Sequence, residues 1–444
     1  MNKKNLASLF LIIFFITTKA QNINMKYTAY AEKNYIFVIF QGDQQKTIHE
    51  GKVPANGKFT LHIPKEYAPY NGMARWLITG TTEGGGLDMY IPGNNFSAGL
   101  TEDNLPIEKS TFYTDNTAFT EIGNLFREQT NILSRYEAMQ QAVKTYTPND
   151  TNYTIFQQEY QNQLKAYDNF QQKLKTRNDY ESHFIRIVNI TKGISPQLAA
   201  PPLDIAKNIE QYISNELDWQ VLYTSGQWTA IINTWLNIHT QVIKNHEQFS
   251  ADFQKVSNRI TSPAIYINLA KTIAHYLSQQ GQDEYINAIA PVITKSGKIS
   301  NYSDELAVYI KATTGSQAPN LIIPKQDADD KTQTIKITDK AFQQTLLFFY
   351  QSSDCNTCDQ QLKELATNYQ KLANQGIRVI TLSADKEKEA FTNKAKTFPW
   401  KDAYCDYKGK EGKNFKNYGV TGVPSIILID ANGKILSRGA SINF

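Results

Sequence analysis

Cysteine is scarce in this chain: three among 444 residues, and none close to Ala20. Histidine is nearly as rare, with six in all and none beyond His275. His49, His62, His183, His239, His246 and His275 lack the spacing of metal ligands, so each reads as a surface or core residue, and no metal or cofactor is expected. Charge of either sign is also lacking in excess, with 46 Lys and Arg against 42 Asp and Glu. A net charge of +4 gives no electrostatic footprint for nucleic acid or an acidic membrane surface. The run Gly84-Gly85-Gly86 lacks the Lys-Ser/Thr and the helix that a phosphate loop needs, so it reads as a strand connection. No internal repeat is visible.

The N-terminus, by contrast, is rich in signal. Lys3 and Lys4 precede an apolar run, Leu9 to Ile16, and Thr18-Lys19-Ala20 supplies small residues at a cleavage position. The run is too short to span a bilayer. Residues 1–20 are therefore expected to be a cleaved signal peptide, leaving a soluble mature chain that begins near Gln21 in an oxidising compartment, with no transmembrane segment. Lipid attachment at the new N-terminus is excluded, since no cysteine lies near Ala20. Cleavage removes Lys3, Lys4 and Lys19 and no acid, lowering the net charge from +4 to +1. The remainder is too long for one ordinary core, so two or three domains are expected.

The hydrophobic period changes twice. Residues 21–112 read as a small β-sandwich or barrel: Tyr35 to Phe40 is an apolar run, Lys58 to Ile63 alternates, and turns are expected at Gly42, Asn56-Gly57, Asn71-Gly72 and Pro92-Gly93. Residues 113–314 read as helical. Phe119, Ile122, Phe126, Leu133, Tyr136 and Val143 share one face, and Phe156, Tyr160, Leu164, Tyr167, Phe170 and Leu174 share another. Further helices are expected around residues 205–217, 228–243, 265–277 and 306–310, separated by proline- and glycine-bearing loops. Residues 315–444 alternate strand and helix: strands at 346–350, 377–382, 425–430 and 434–437, helices at 355–373 and 386–396.

Chemistry concentrates in Asp354-Cys355-Asn356-Thr357-Cys358, at the junction of a strand and a helix. Cys355 at a helix N-terminus gains thiolate stabilisation from free N–H groups and the macrodipole. Cys358, three residues on, shares its face and could resolve a mixed disulfide. The adjacent Asp354 carboxylate opposes the thiolate. A structural disulfide and half a zinc site are the competing readings, but zinc needs four ligands and only Cys405 remains as a further cysteine. Cys405 lies outside any motif and is expected to be a small buried hydrophobe that turnover does not require.

Three more segments carry a resemblance: Gly315-Ser316-Gln317-Ala318-Pro319, Tyr418-Gly419-Val420-Thr421-Gly422-Val423-Pro424-Ser425, and Ile426–Asp430 followed by Ala431-Asn432-Gly433-Lys434-Ile435. With the cysteine pair they cover residues 315–438 and resemble the TlpA/ResA-like periplasmic thiol-disulfide oxidoreductases, closest to Bacteroidetes-type members. Asn56-Gly57-Lys58-Phe59 and Leu87–Phe96 resemble the β domain that often precedes that module, and the helical middle resembles the domain often inserted between them.

The resemblance implies a thioredoxin fold, Cys355 as nucleophile, Cys358 as resolving thiol, a cis Pro424 in the substrate loop and a Val423 backbone that contacts substrate. It further implies protein thiol or disulfide substrates, an envelope redox partner and a periplasmic location. Where that family usually carries Trp, Glu and Pro around the pair, this chain has Asp354, Gln361 and Lys363, so a buried acid–base glutamate is missing. The sequence given also stops at Phe444, before the usual last helix, so one sheet face is expected to be less well covered or covered by a neighbouring domain. Two alternatives stay open. One is a binding or scaffold protein with a degenerate thioredoxin-like domain and an inert Cys355–Cys358 bond. The other is a peroxiredoxin-like peroxidase, for which Ser352 fits the hydroxyl position but Phe348 stands where proline belongs.

Overall fold

The computed structural model describes residues 21–81, 85–100, 111–311, 314–324 and 332–441. The expected signal peptide, Met1–Ala20, and Gly84 lie outside them. The chain divides into two compact units, one made of Met1–Glu137, Arg177–Ile185 and Thr224–Gly226, the other of the remaining residues.

In the first unit, β1 (Gln21–Lys26), β2 (Asn34–Gln41), β3 (Gln44–Lys52), β4 (Lys58–Ile63), β5 (Asn71–Thr79), β6 (Gly86–Pro92), β7 (Phe96–Leu100) and β8 (Thr111–Thr114) form two four-stranded sheets. Their orders are β4-β1-β7-β8 and β3-β2-β5-β6. Alternate residues of each strand point to one side. Ile23, Leu61, Phe96 and Ala98 from the first sheet thus share a core with Phe37, Ile39, Trp76 and Met89 from the second.

Asn71-Gly72, expected as a turn, instead opens β5, where Gly72 pairs with Ile91. Packing, not a turn, requires the glycine: a Cβ there would come within 2.4 Å of the Thr224 side chain. Gly57 does occupy a turn, at φ +68°.

Helices follow: α1 (Thr117–Thr145), α2 (Tyr153–Thr176), α3 (Tyr180–Thr191), α4 (Pro202–Asn215), α5 (Trp219–Thr224), α6 (Trp228–Asn237), α7 (His246–Arg259), α8 (Pro263–Gln279) and α9 (Asp283–Lys295). α6 runs on into a π-helical segment, Ile238–Ile243. Pro263 takes the first turn of α8, where its missing N–H costs nothing, and Ser262 caps that helix by accepting from the Ile265 N–H. The segments expected as helices in this region are helical, with residues 304–309 forming a 3-10 turn. α3, α5, α7 and α9 come in addition. α7 escapes a periodicity reading because its apolar stripe is only Phe249, Phe253 and Val256 on an otherwise polar segment.

Beyond residue 314 lie β9 (Leu321–Pro324), β10 (Thr332–Ile335), β11 (Gln344–Tyr350), α10 (Asn356–Asn374), β12 (Ile377–Ser383), α11 (Lys388–Ala395), β13 (Asp402–Cys405), α12 (Lys413–Asn417), β14 (Ser425–Asp430) and β15 (Ile435–Gly439). Five of these strands form a mixed sheet of order β13-β12-β11-β14-β15. β11 runs parallel to β12 and antiparallel to β14. Its unbroken apolar run follows from burial on both faces.

Leu347 and Phe349 point into one core with Ile380, Ile427, Phe415 and Tyr418. Leu346, Phe348 and Tyr350 point into the other, under Leu362 and Leu365 of α10. The face expected to be poorly covered is filled from nearby chain, by Leu321, Ile323, Ile337, Phe415 and Tyr418.

Candidate active site

The strand-to-helix junction of β11 and α10 positions the cysteine pair. The central strand delivers the chain to the sheet's edge of C-terminal ends, and residues 351–354 turn it into α10. Asp354 sits at φ +56°, in the left-handed region that short polar side chains tolerate. Cys355 then serves as N-cap of α10, and the Cys358 N–H donates to its Sγ at 3.2 Å.

The two sulfurs are bonded, 2.02 Å apart. Their environments differ. Cys358 is fully buried among Phe348, Tyr350, Leu362 and Trp400, whereas Cys355 is only partly buried. An attacking thiolate can therefore reach the bond at Cys355 and not at Cys358. Once the pair is reduced, the α10 N-terminus and the Cys358 N–H favour a thiolate at Cys355.

The loop before β14 lies against this sulfur. The Val423–Pro424 peptide is cis, and the Val423 carbonyl oxygen is 3.8 Å from Cys355 Sγ. Val423 packs against both cores of the sheet, and Pro424 is buried. The four residues singled out in the sequence, Cys355, Cys358, Val423 and Pro424, thus converge across 69 positions of chain, from 355 to 424.

Ser352, which could have served a peroxidase site, donates its hydroxyl to Asp385 Oδ2 at 2.5 Å, and its N–H donates to Asp385 Oδ1. That hydroxyl is committed to a carboxylate.

Cys405 ends β13, paired opposite Ser383. Its Sγ donates to the Asp385 carbonyl at 3.2 Å, and burial pushes the thiol up to about 11. A thiol so far from ionisation is a poor nucleophile near neutral pH. Cys405→Ala is expected to leave disulfide turnover within about twofold of wild type, at a stability cost of about 1 kcal/mol for the lost hydrogen bond. Steady-state turnover and denaturant midpoint measure the two effects; a tenfold loss of turnover in the folded variant would make Cys405 part of the relay.

Sequence reasoning missed Asp385, whose carboxylate accepts from Ser352 and Ser383 and whose carbonyl accepts from Cys405. Its position just past β12 was the available signal. No helix among the described residues is long and apolar enough to cross a membrane.

Residues 314–438 match the AhpC/TSA family. Thiol-disulfide oxidoreductase ResA of Bacillus thuringiensis subsp. konkukian is 29% identical over 128 residues, covering 29% of this chain and 70% of that protein. Human nucleoredoxin is 25% identical over 92 residues, 20% of this chain and 21% of that one. Among solved structures, a thiol-disulfide oxidoreductase from Bacteroides fragilis NCTC 9343 is 27% identical, covers 29% of this chain and 92% of its own, and superposes with a TM-score of 0.24. Residues 314–438 therefore form a thioredoxin-like domain of the AhpC/TSA family, related to the TlpA/ResA-like thiol-disulfide oxidoreductases.

Proposed function

We propose that the protein is a periplasmic thiol-disulfide oxidoreductase that works in the reductive direction on protein substrates through Cys355 and Cys358. The observation that carries this reading is the asymmetry of the pair: a partly exposed Cys355 sulfur facing the Cys358 N–H, above a fully buried Cys358. In the reduced protein the Cys355 thiolate attacks one sulfur of a substrate disulfide. A Cys355–substrate bond forms, the substrate S–S bond breaks, and the other substrate sulfur leaves as a thiolate and takes up a proton. Cys358 then loses its proton and attacks Cys355 Sγ. The intramolecular disulfide closes and the second substrate thiol departs. Two electrons have passed to the substrate, and an envelope dithiol partner restores the pair.

The Val423 backbone is assigned to an incoming extended segment, pairing strand to strand beside the sulfur. Pro424 removes the next N–H from that edge. The rest of the chain is read as a β part, 21–112, and a helical part, 113–314, preceding the redox part, 315–444. Turnover of a model protein disulfide with a dithiol donor tests the reading. A rate no higher than that of the donor alone would leave the pair an inert disulfide.

The envelope location carries its own prediction. Protein isolated from the native host is expected to begin at about Gln21, as intact-mass and N-terminal peptide measurements would show. A chain that retains Met1 to Ala20 would contradict the periplasmic location.

A further inference from the structure

Far along the chain from the cysteine pair, three acid–base side chains meet inside the helical layer. Glu210 comes from α4, His239 from the π-helical segment after α6, and Asp252 from α7. All three are buried, with His239 at 0% and Asp252 at 1% exposure. One ligand-type atom from each lies within 4.8 Å of the others. We propose that Glu210, His239 and Asp252 form a binding site for one divalent transition-metal ion of the zinc type, three protein ligands with the fourth position left to water.

The distances favour a cation over hydrogen bonds. His239 Nε2 is 3.8 Å from Glu210 Oε1 and 4.0 Å from Asp252 Oδ2. Hydrogen bonds to nitrogen end near about 3.2 Å, so neither pair makes one. Two metal bonds of about 2.1 Å, opened to a tetrahedral or wider angle, put their ligand atoms about 3.4–4.1 Å apart.

The imidazole supplies the second, independent observation. Neither ring nitrogen of His239 has a hydrogen-bond partner, although the side chain is wholly buried. A buried unmade hydrogen bond costs about 1–3 kcal/mol, and a metal bond at Nε2 removes that cost on the side facing the carboxylates. Trp235 and Phe249 wall the ring, at centroid distances of 5.3 and 4.9 Å, and so hold its direction.

The carboxylates are oriented by hydrogen bonds to the same oxygens that face His239. Ser214 Oγ donates to Glu210 Oε1 at 2.5 Å, and Gln248 Nε2 donates to Asp252 Oδ2 at 2.7 Å. Lys255 Nζ bonds Asp252 Oδ1 at 2.7 Å with its side chain half exposed, marking the side nearest solvent. The π-helical turn carrying His239 is a rare element that often accompanies functional sites. One imidazole and two carboxylates suit zinc-like ions better than softer or purely oxygen-seeking ones.

The test uses the full mature chain without a histidine tag, stripped with EDTA, and kept oxidised so that Cys355 and Cys358 cannot take metal. Zn²⁺ and Co²⁺ are titrated and followed by calorimetry and by Co²⁺ absorption. One ion per chain is expected, bound at least about tenfold more weakly by Glu210→Gln and by His239→Gln, with Cys405→Ala unchanged. If His239→Gln fails to fold, selective broadening of the His239 ring proton signals by Co²⁺ in the wild-type chain gives the same assignment. No stoichiometric binding to the wild-type chain would overturn the site and leave a polar core cluster. So would equal binding by folded Glu210→Gln, or Co²⁺ broadening confined to other histidines.

Discussion

Cys355→Ser is expected to abolish disulfide turnover, by on the order of 10³-fold or more, the scale of losing a covalent nucleophile. Cys358→Ser is expected to behave differently. It keeps the attacking sulfur but cannot resolve, so mixed disulfides with substrate accumulate on Cys355. The reason is burial: Cys358 is fully enclosed, while Cys355 is partly open and receives the Cys358 N–H at the head of α10. Non-reducing electrophoresis followed by peptide mapping distinguishes the variants. Adducts that form on Cys358 in the Cys355→Ser protein would reverse the two roles.

The second large effect lies behind the Val423 loop. Arg438, on β15 and nearly buried, donates to the Tyr418 carbonyl at 2.6 Å, the Gly419 carbonyl at 3.0 Å and Asp283 Oδ1 at 3.1 Å. One guanidinium thus ties the chain leading into Val423 to the first turn of α9. Burial pushes the Asp283 carboxyl up, and Arg438 beside it offsets part of that rise. Asp283→Ala leaves the guanidinium enclosed with its charge uncompensated.

Breaking a buried pair from one side costs about 3–5 kcal/mol. Hydrogen exchange of the β14 and β15 amides is expected to speed up on the order of 10²-fold or more, if these strands open through this contact. Asp283→Asn keeps an acceptor and should lose less. Unchanged exchange in Asp283→Ala would show that the two carbonyl bonds alone hold Arg438.

The candidate site was legible in the sequence because its signals are local. Leu346 to Tyr350 is apolar enough to be a central strand, Cys355 and Cys358 sit where a helix must start, and Val423-Pro424 precedes another apolar run. Each needs only a few neighbouring residues to be read. Glu210, His239 and Asp252 were not legible, because no spacing links them and only the packing of α4, the π-helical segment after α6 and α7 brings them together. Arg438 escaped for a similar reason: an arginine on a short strand reads as solvent-exposed until Asp283, 155 residues earlier, is seen beside it. β9 and β10 are four residues each, too short for a period to declare itself. Gly72 misled because Asn-Gly is a turn signal, whereas here the missing Cβ makes room for Thr224.

The account rests on a Cys355–Cys358 bond that opens and closes in use. Equilibrating the full chain in thiol buffers of graded potential, then counting alkylated Cys355 and Cys358 by mass, measures this directly. Cycling oxidoreductases of this fold hold their pairs between about −270 and −120 mV, and the midpoint is expected in that interval. A midpoint below about −300 mV, where structural disulfides lie, would contradict the account.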